Sequence, residues 1–371
     1  MIYRLSDICD YVKGKVDISK LDLCTYISTE SMLPNKAGII ESSSLPNIKQ
    51  TQIYCAGDVL VSNIRPYFKK IWYATCDGGC SNDVLVFRAK NGVSKRFLYY
   101  VLADDKFFSY SMLNSKGTKM PRGDKKAIME YKVPKFSYEK QVKIAKILGD
   151  LDDKVAVNKT INRNLSEQAI ALYKAMILDA LEECSEGVLS DIADIVMGQS
   201  PKGDTYNEDG AGAVFYQGRA EFGERFPTRR LFTTAPKRMA KENSVLMSVR
   251  APVGDVNVAY EECCIGRGLC SVASKDNHQS FILYTMYNLK DKFDVYNGEG
   301  TVFGSINKDS MNCMTIQIPN KALMDRFEKI VSPMDVIIKA NYDENCRLIA
   351  VRDSLLPKLM SGELDVSDFK V

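Results

Sequence analysis

The chain has 371 residues, 50 Lys and Arg against 47 Asp and Glu, 45% hydrophobic content, eleven Cys and one His. That length and apolar content suffice for more than one buried core, so two globular domains of ordinary size are expected. No apolar run reaches 18 residues, and Met1-Ile2-Tyr3-Arg4-Leu5-Ser6 has neither the charged start nor the apolar core of a signal peptide, which predicts a cytoplasmic protein without membrane contact.

Residues 1–137 read as short mixed elements. A short helix or turn is expected over 5–12, strands over 51–62 and 82–87, and a helix over 94–107 with Phe97, Tyr100, Val101 and Phe108 on one buried side. Between the strands, Ser62-Asn63-Ile64-Arg65-Pro66-Tyr67-Phe68-Lys69-Lys70 interleaves guanidinium, aromatic and ammonium groups. Arg and Asn have the donor geometry to read base edges and Lys supplies charge for phosphate, which makes Arg65, Tyr67, Lys69 and Lys70 candidate DNA contacts; the loop reads equally well as a surface turn built on Pro66. A second basic loop, Asn114-Ser115-Lys116-Gly117-Thr118-Lys119-Met120-Pro121-Arg122-Gly123, adds Lys116, Lys119 and Arg122. It lacks the spacing of a nucleotide-binding P-loop. This region holds 21 Lys and Arg against 13 Asp and Glu, the balance of a polyanion binder.

From 138 to 186 the pattern changes. No Gly or Pro interrupts 150–186, and apolar residues recur at alternating steps of three and four: Ile144, Leu148, Leu151, Val155, Leu165, Ala169, Leu172 and Met176. That is a heptad seam on one long helix. Asn158 and Asn162 occupy the two remaining seam positions, where a buried Asn costs stability and fixes register.

Residues 187–320 repeat the first domain's composition without its charge, at 14 Lys and Arg against 16 Asp and Glu. Leu5-Ser6-Asp7-Ile8 returns as Leu189-Ser190-Asp191-Ile192, Gly57 to Ser62 answers to Glu242 to Ser248, and Gly117-Thr118 to Gly300-Thr301. Single arginines stand beside Gly or Pro turns at Arg219, Arg250 and Arg267, and the counterpart of the second basic loop offers Thr301 and Ser305 in place of its lysines. These are the candidate DNA contacts of the second copy. Lys275-Asp276-Asn277-His278-Gln279 reads as surface.

A second long helix follows at 321–361, and 362–371 is a tail. Adding 183 to Lys146, Ile147, Asp152, Asn158, Asn162 and Leu165 lands on Lys329, Ile330, Asp335, Asn341, Asn345 and Leu348, so the seam and both of its asparagines recur. Two helices with one seam pack most naturally on each other. The chain is therefore one unit written twice, a mixed α/β domain followed by a long helix.

No catalytic motif is present: no Walker A, no H-E-x-x-H, no G-x-S-x-G, and neither motif of an amino-methyltransferase. The cysteines lack C-x-x-C pairs, which predicts reduced thiols and no metal site. No catalytic residue and no cofactor of its own are expected.

The order domain, helix, domain, helix, with a chain end reading Leu355-Leu356-Pro357-Lys358-Leu359-Met360-Ser361-Gly362-Glu363-Leu364, resembles the specificity (S) subunit of type I restriction-modification enzymes. The family's usual Pro-Pro-x-x-Glu-Gln lead-in is replaced here by Pro134-Lys135-Phe136-Ser137-Tyr138-Glu139-Lys140-Gln141. The resemblance implies two target-recognition domains, 1–137 and 187–320, each reading half of a bipartite double-stranded DNA site. It implies that the helices 138–186 and 321–361 form an antiparallel coiled-coil spacer with an internal pseudo-two-fold repeat. Methyltransferase (M) and restriction (R) subunits would be the partners, and S-adenosylmethionine, ATP and Mg²⁺ would belong to them. Two other readings fit the same residues: a solitary regulatory DNA-binding homologue without active enzyme partners, and a protein-binding coiled-coil adaptor.

Overall fold

The computed structural model describes residues 2–297 and 304–366. It divides into two compact units, one made of Met1–Asn158 with Asp343–Val371 and the other of Lys159–Tyr342. Each unit contains one globular domain and a stretch of each long helix.

In the first unit, Cys9–Tyr11, Val84–Ala89, Val59–Ser62 and Ile71–Tyr73 form an antiparallel sheet in that order. The two central strands carry apolar runs, Val59-Leu60-Val61 and Val84-Leu85-Val86-Phe87, because both of their faces are covered there. Val59, Val61, Leu85 and Phe87 face the helices Lys95–Ala103 and Asp105–Leu113, while Leu60, Val84 and Val86 face a second sheet of Lys15–Asp17, Gln50–Tyr54, Gly78–Cys80 and Tyr26–Ile27. The single helix expected over 94–107 is two. Asp104 is extended, with φ −64° and ψ 134°, and its carboxylate accepts from the Lys106 N–H, starting a new helix where one would have run on.

The second unit has the same sheet order, with Ala193–Met197, Leu269–Ser274, Val245–Ser248 and Val256–Val258 in succession. Its second sheet has five strands, of which Ala213–Tyr216 and Cys263–Ile265 run parallel. The helix Gln279–Asn288 backs the first sheet through Phe281, Tyr284 and Met286. His278 is not on the surface as its polar neighbours suggest. It is 6% exposed, and its Nε2 lies 2.7 Å from Asp325 of the second long helix.

The first long helix spans Tyr138–Tyr173. Every seam position within it is buried or half-buried, while Val157 and Ile161 beside them are exposed. The helix expected to continue to Glu186 instead widens into a π-turn at Lys174–Leu178 and gives way to a strand, Cys184–Val188. That strand pairs residue for residue with Thr315–Pro319, and the ladder outweighs a local sequence free of helix breakers. The second long helix, Lys321–Ser361, runs through Pro333 and Pro357.

Within each unit the two helix stretches run antiparallel. In the first, Asn158 is completely buried and its Nδ2 donates to Asn345 Oδ1 at 3.0 Å and Glu344 Oε2 at 2.7 Å. In the second, Asn341 Nδ2 donates to Asn162 Oδ1 at 2.8 Å, and Asn162 Nδ2 to the Ile338 carbonyl at 3.1 Å. The repeated aspartates are also used alike. Asp152 accepts from Tyr100 Oη and from Arg352, each at 2.6 Å, while Asp335 accepts from Tyr284 Oη at 3.0 Å and from Arg225. Each carboxylate thereby ties a domain helix to a long helix.

Candidate nucleic-acid interface

The two basic loops of the first unit, fifty residues apart in the chain, are joined edge to edge. Ile64 and Arg122 form an antiparallel bridge, the Arg65 N–H donates to the Pro121 carbonyl at 2.8 Å, and the Gly123 N–H donates to the Asn63 carbonyl. Arg65 and Lys69 bracket the single 3-10 turn Pro66–Phe68, both left-handed with φ of 50° and 51°. For residues with a side chain that is a strained conformation, and it survives because neighbouring backbone fixes it.

A third segment, which the sequence did not single out, supplies that backbone. The turn Pro34-Asn35-Lys36-Ala37-Gly38 is closed by a bridge between Met32 and Ile39, and its Asn35 and Lys36 N–H groups donate to the Phe68 and Lys69 carbonyls. Lys36 and Lys69 both reach Asp105, at 2.8 and 2.9 Å. Partial burial pushes the Asp105 carboxyl up, but the two ammonium groups together hold it below the usual range. Its Pro-Asn-x-x-Gly turn chemistry was the available signal for this loop; its pairing with 66–69 had none.

The candidate contacts fall into three states. Tyr67, Lys119, Arg250 and Arg267 are exposed. Lys69, Lys116, Arg122 and Arg219 are engaged by Asp105, Asp124, Asp83 and Asp255 in largely exposed ion pairs, weak enough in water to be exchanged for a phosphate. Lys70 is turned inward, donating to the Thr29 carbonyl at 2.7 Å, and burial lowers its pKa. Arg65 is half-buried, with its Nε lacking a partner.

In the second unit the corresponding loops meet in the same way. Arg250 bridges Ser305, and the Ala251 N–H donates to the Gly304 carbonyl. The three arginine-bearing turns are linked in series, Val249 N–H to the Gly268 carbonyl and Gly268 N–H to the Gln217 carbonyl, which gathers Arg219, Arg250 and Arg267 onto connected backbone. Glycine is required there, since a Cβ on Gly268 would lie 2.8 Å from the Gln217 carbonyl oxygen. Thr301 lies outside the described residues. Seven Lys and Arg stand from Arg219 to Lys241, and of these Arg225 is withdrawn, 9% exposed and committed to Asp335, while Arg230 is held by the buried Glu221.

All eleven cysteines are free thiols, and burial pushes Cys9, Cys80, Cys263 and Cys270 up to about 12, far from thiolate. Among the described residues no helix is long and apolar enough to cross a membrane.

The chain matches the profile of the type I restriction modification DNA specificity domain over residues 1–167 and again over 182–344. Over 98% of its length it is 28% identical to a protein of Methanocaldococcus jannaschii assigned as the MjaX type I restriction enzyme specificity subunit, covering 93% of that protein. It is 22% identical to the HindI specificity subunit of Haemophilus influenzae, covering 98% of this chain and 99% of the other. The crystal structure of a type I restriction-modification S subunit from M. genitalium shares its fold with a TM-score of 0.59 at 16% identity, over 99% of this chain and 96% of that one. Two profile matches that together take in most of the chain make it a member of the type I restriction-modification DNA specificity family, a DNA-recognition component and not itself a catalyst.

Proposed function

We propose that the chain is the specificity subunit that directs a type I restriction-modification complex to a bipartite DNA sequence, with residues 1–137 and 187–320 as its two target-recognition domains. The observation that carries this reading is the recurrence of one loop arrangement. In each unit an arginine-bearing loop that follows a central strand is bridged to a second loop, Ile64 to Arg122 in one and Arg250 to Ser305 in the other. The same scaffold thus presents two sets of side chains, as two different half-sites require. Arg65, Lys69, Lys119, Arg122, Arg219, Arg250, Arg267 and Ser305 are the groups we assign to the duplex, with Tyr67 and Thr301, and Lys116 and Lys70 in supporting positions.

The long helices serve as an antiparallel coiled-coil spacer relating the domains by a pseudo-two-fold repeat, with Asn158, Asn162, Asn341 and Asn345 setting its register. Methyltransferase and restriction subunits dock on this chain and bring S-adenosylmethionine, ATP and Mg²⁺ with them.

The test is co-expression with a methyltransferase subunit of the same type I system, followed by sequencing of host DNA for modified adenines. A single two-part motif with a fixed gap is expected. A stable complex that methylates nothing, with DNA binding that is weak and indifferent to salt, would instead favour the adaptor.

A further inference from the structure

We propose that Tyr67 and Phe68 form an aromatic wedge that enters the base stack of one half-site, so that the first domain unstacks a base step while the second reads its half-site without doing so. The proposal rests on the DNA-reading function above and adds to it a deformation of the DNA.

Two large aromatic side chains stand in water on the loop, Tyr67 at 48% and Phe68 at 38% exposure. Their rings lie 4.6 Å apart and tilted by 54°, in contact with each other. Aromatic rings are normally buried for the free energy that burial yields, and a pair left out on a polar surface marks a contact still to be made.

The loop is built to hold them there. Arg65 and Lys69 close it at both ends in left-handed backbone, the Phe68 and Lys69 N–H groups bond back to Arg65 and Pro66, and the Phe68 and Lys69 carbonyls are taken by the turn at 35–36. A rigid mount matters for a wedge, because a loop that yields when pressed into a base stack separates nothing.

Charge identifies the occupant. The loop and the segments bonded to it carry Lys36, Arg65, Lys69, Lys70 and Arg122, facing Asp83, Asp105 and Glu30, and the Lys70 ammonium lies 5.9 Å from the centre of the Phe68 ring. Apolar side chains ringed by cations fit a stack of bases flanked by phosphates. Side chains inserted in this way kink a duplex by roughly 20–90°.

Among the described residues, the counterpart loop of the second domain carries no such pair. That loop reads Val249-Arg250-Ala251-Pro252-Val253, with both valines buried and no aromatic residue. The predicted deformation is therefore one-sided.

The experiment uses the complex of the full chain with its methyltransferase subunit and duplexes carrying the methylation-mapped site. 2-Aminopurine replaces each purine in turn, apart from the methylated adenines and their neighbours, and binding is followed in parallel by anisotropy. A several-fold rise in fluorescence at one step of one half-site is expected, with none in the other. The double variant Tyr67→Ala/Phe68→Ala should abolish the rise and weaken binding about 10- to 100-fold, the loss expected for base–aromatic stacking. A bound complex in which no position brightens, or a double variant that brightens the same step, overturns the wedge while leaving DNA reading intact. Failure of the complex to bind the mapped duplex at all overturns both.

Discussion

Asp124 shows how much a single side chain can organise. Its carboxylate accepts from the Lys126 and Ala127 N–H groups, capping the helix Lys125–Met129, and pairs with Lys116 at 2.7 Å. Lys116 first, then the two backbone donors, hold its carboxyl down at about 2. A carboxyl lowered in the folded state binds its proton more weakly there than in the unfolded chain. Its contribution is therefore complete above the ordinary carboxylate range and is lost as pH falls from about 4 towards 2. Asn caps a helix without titrating, so thermal melts of Asp124→Asn between pH 5 and 2.5 should fall less steeply than those of the natural chain. Lys119, exposed to solvent, should behave as a plain phosphate contact. Lys119→Ala is expected to weaken binding to all sequences alike and to reduce the slope of log K against log salt by about 0.9. A change in sequence preference instead would show that Lys119 reads bases.

In the proposed spacer, asparagines that set register do so at a cost in stability. Asn158 is fully buried, and its Oδ1 has no partner. Replacing both Asn158 and Asn345 by Leu should raise the urea midpoint, since two polar groups leave an apolar seam together. Asn158→Leu alone should lower stability by about 1–3 kcal/mol, because Asn345 is then left without its partner. A stabilising single variant would remove the pair from any role in register. The seam was legible in the sequence because it depends only on spacing along one helix, and the doubled Asn and Asp positions were legible because the repeat displayed them twice. What escaped the sequence depends on partners far along the chain. Cys184–Val188 looks helical until Thr315–Pro319 is known to lie beside it. The turn at 34–38 looks like any loop until its N–H groups are seen to hold 68–69. Nothing beside Arg225 in the sequence marks it for burial, which Asp335, 110 residues later, accounts for.

For the molecule as a whole, helix length should govern the gap in the recognised sequence and nothing else. Removing seven residues from corresponding places in both long helices shortens each by about 10 Å, or roughly three base pairs of duplex. Methylation mapping of that variant should return the same half-sites with a shorter gap, and an unchanged gap would sink the spacer. The division of the chain also bears on its birth at the ribosome. The second unit is one continuous stretch, Lys159–Tyr342, whereas the first needs Asp343 onward to complete a core containing Leu356, Leu359, Met360 and Val366. At 5–20 residues per second, about 10 to 40 s of synthesis separate the two halves of the first unit. The domain translated first is thus the one that finishes folding last, exposing apolar helix surface that a nascent-chain chaperone can hold. A chain stopped after Tyr342 should accordingly lose the protease resistance of its N-terminal domain while keeping that of the domain nearer the break.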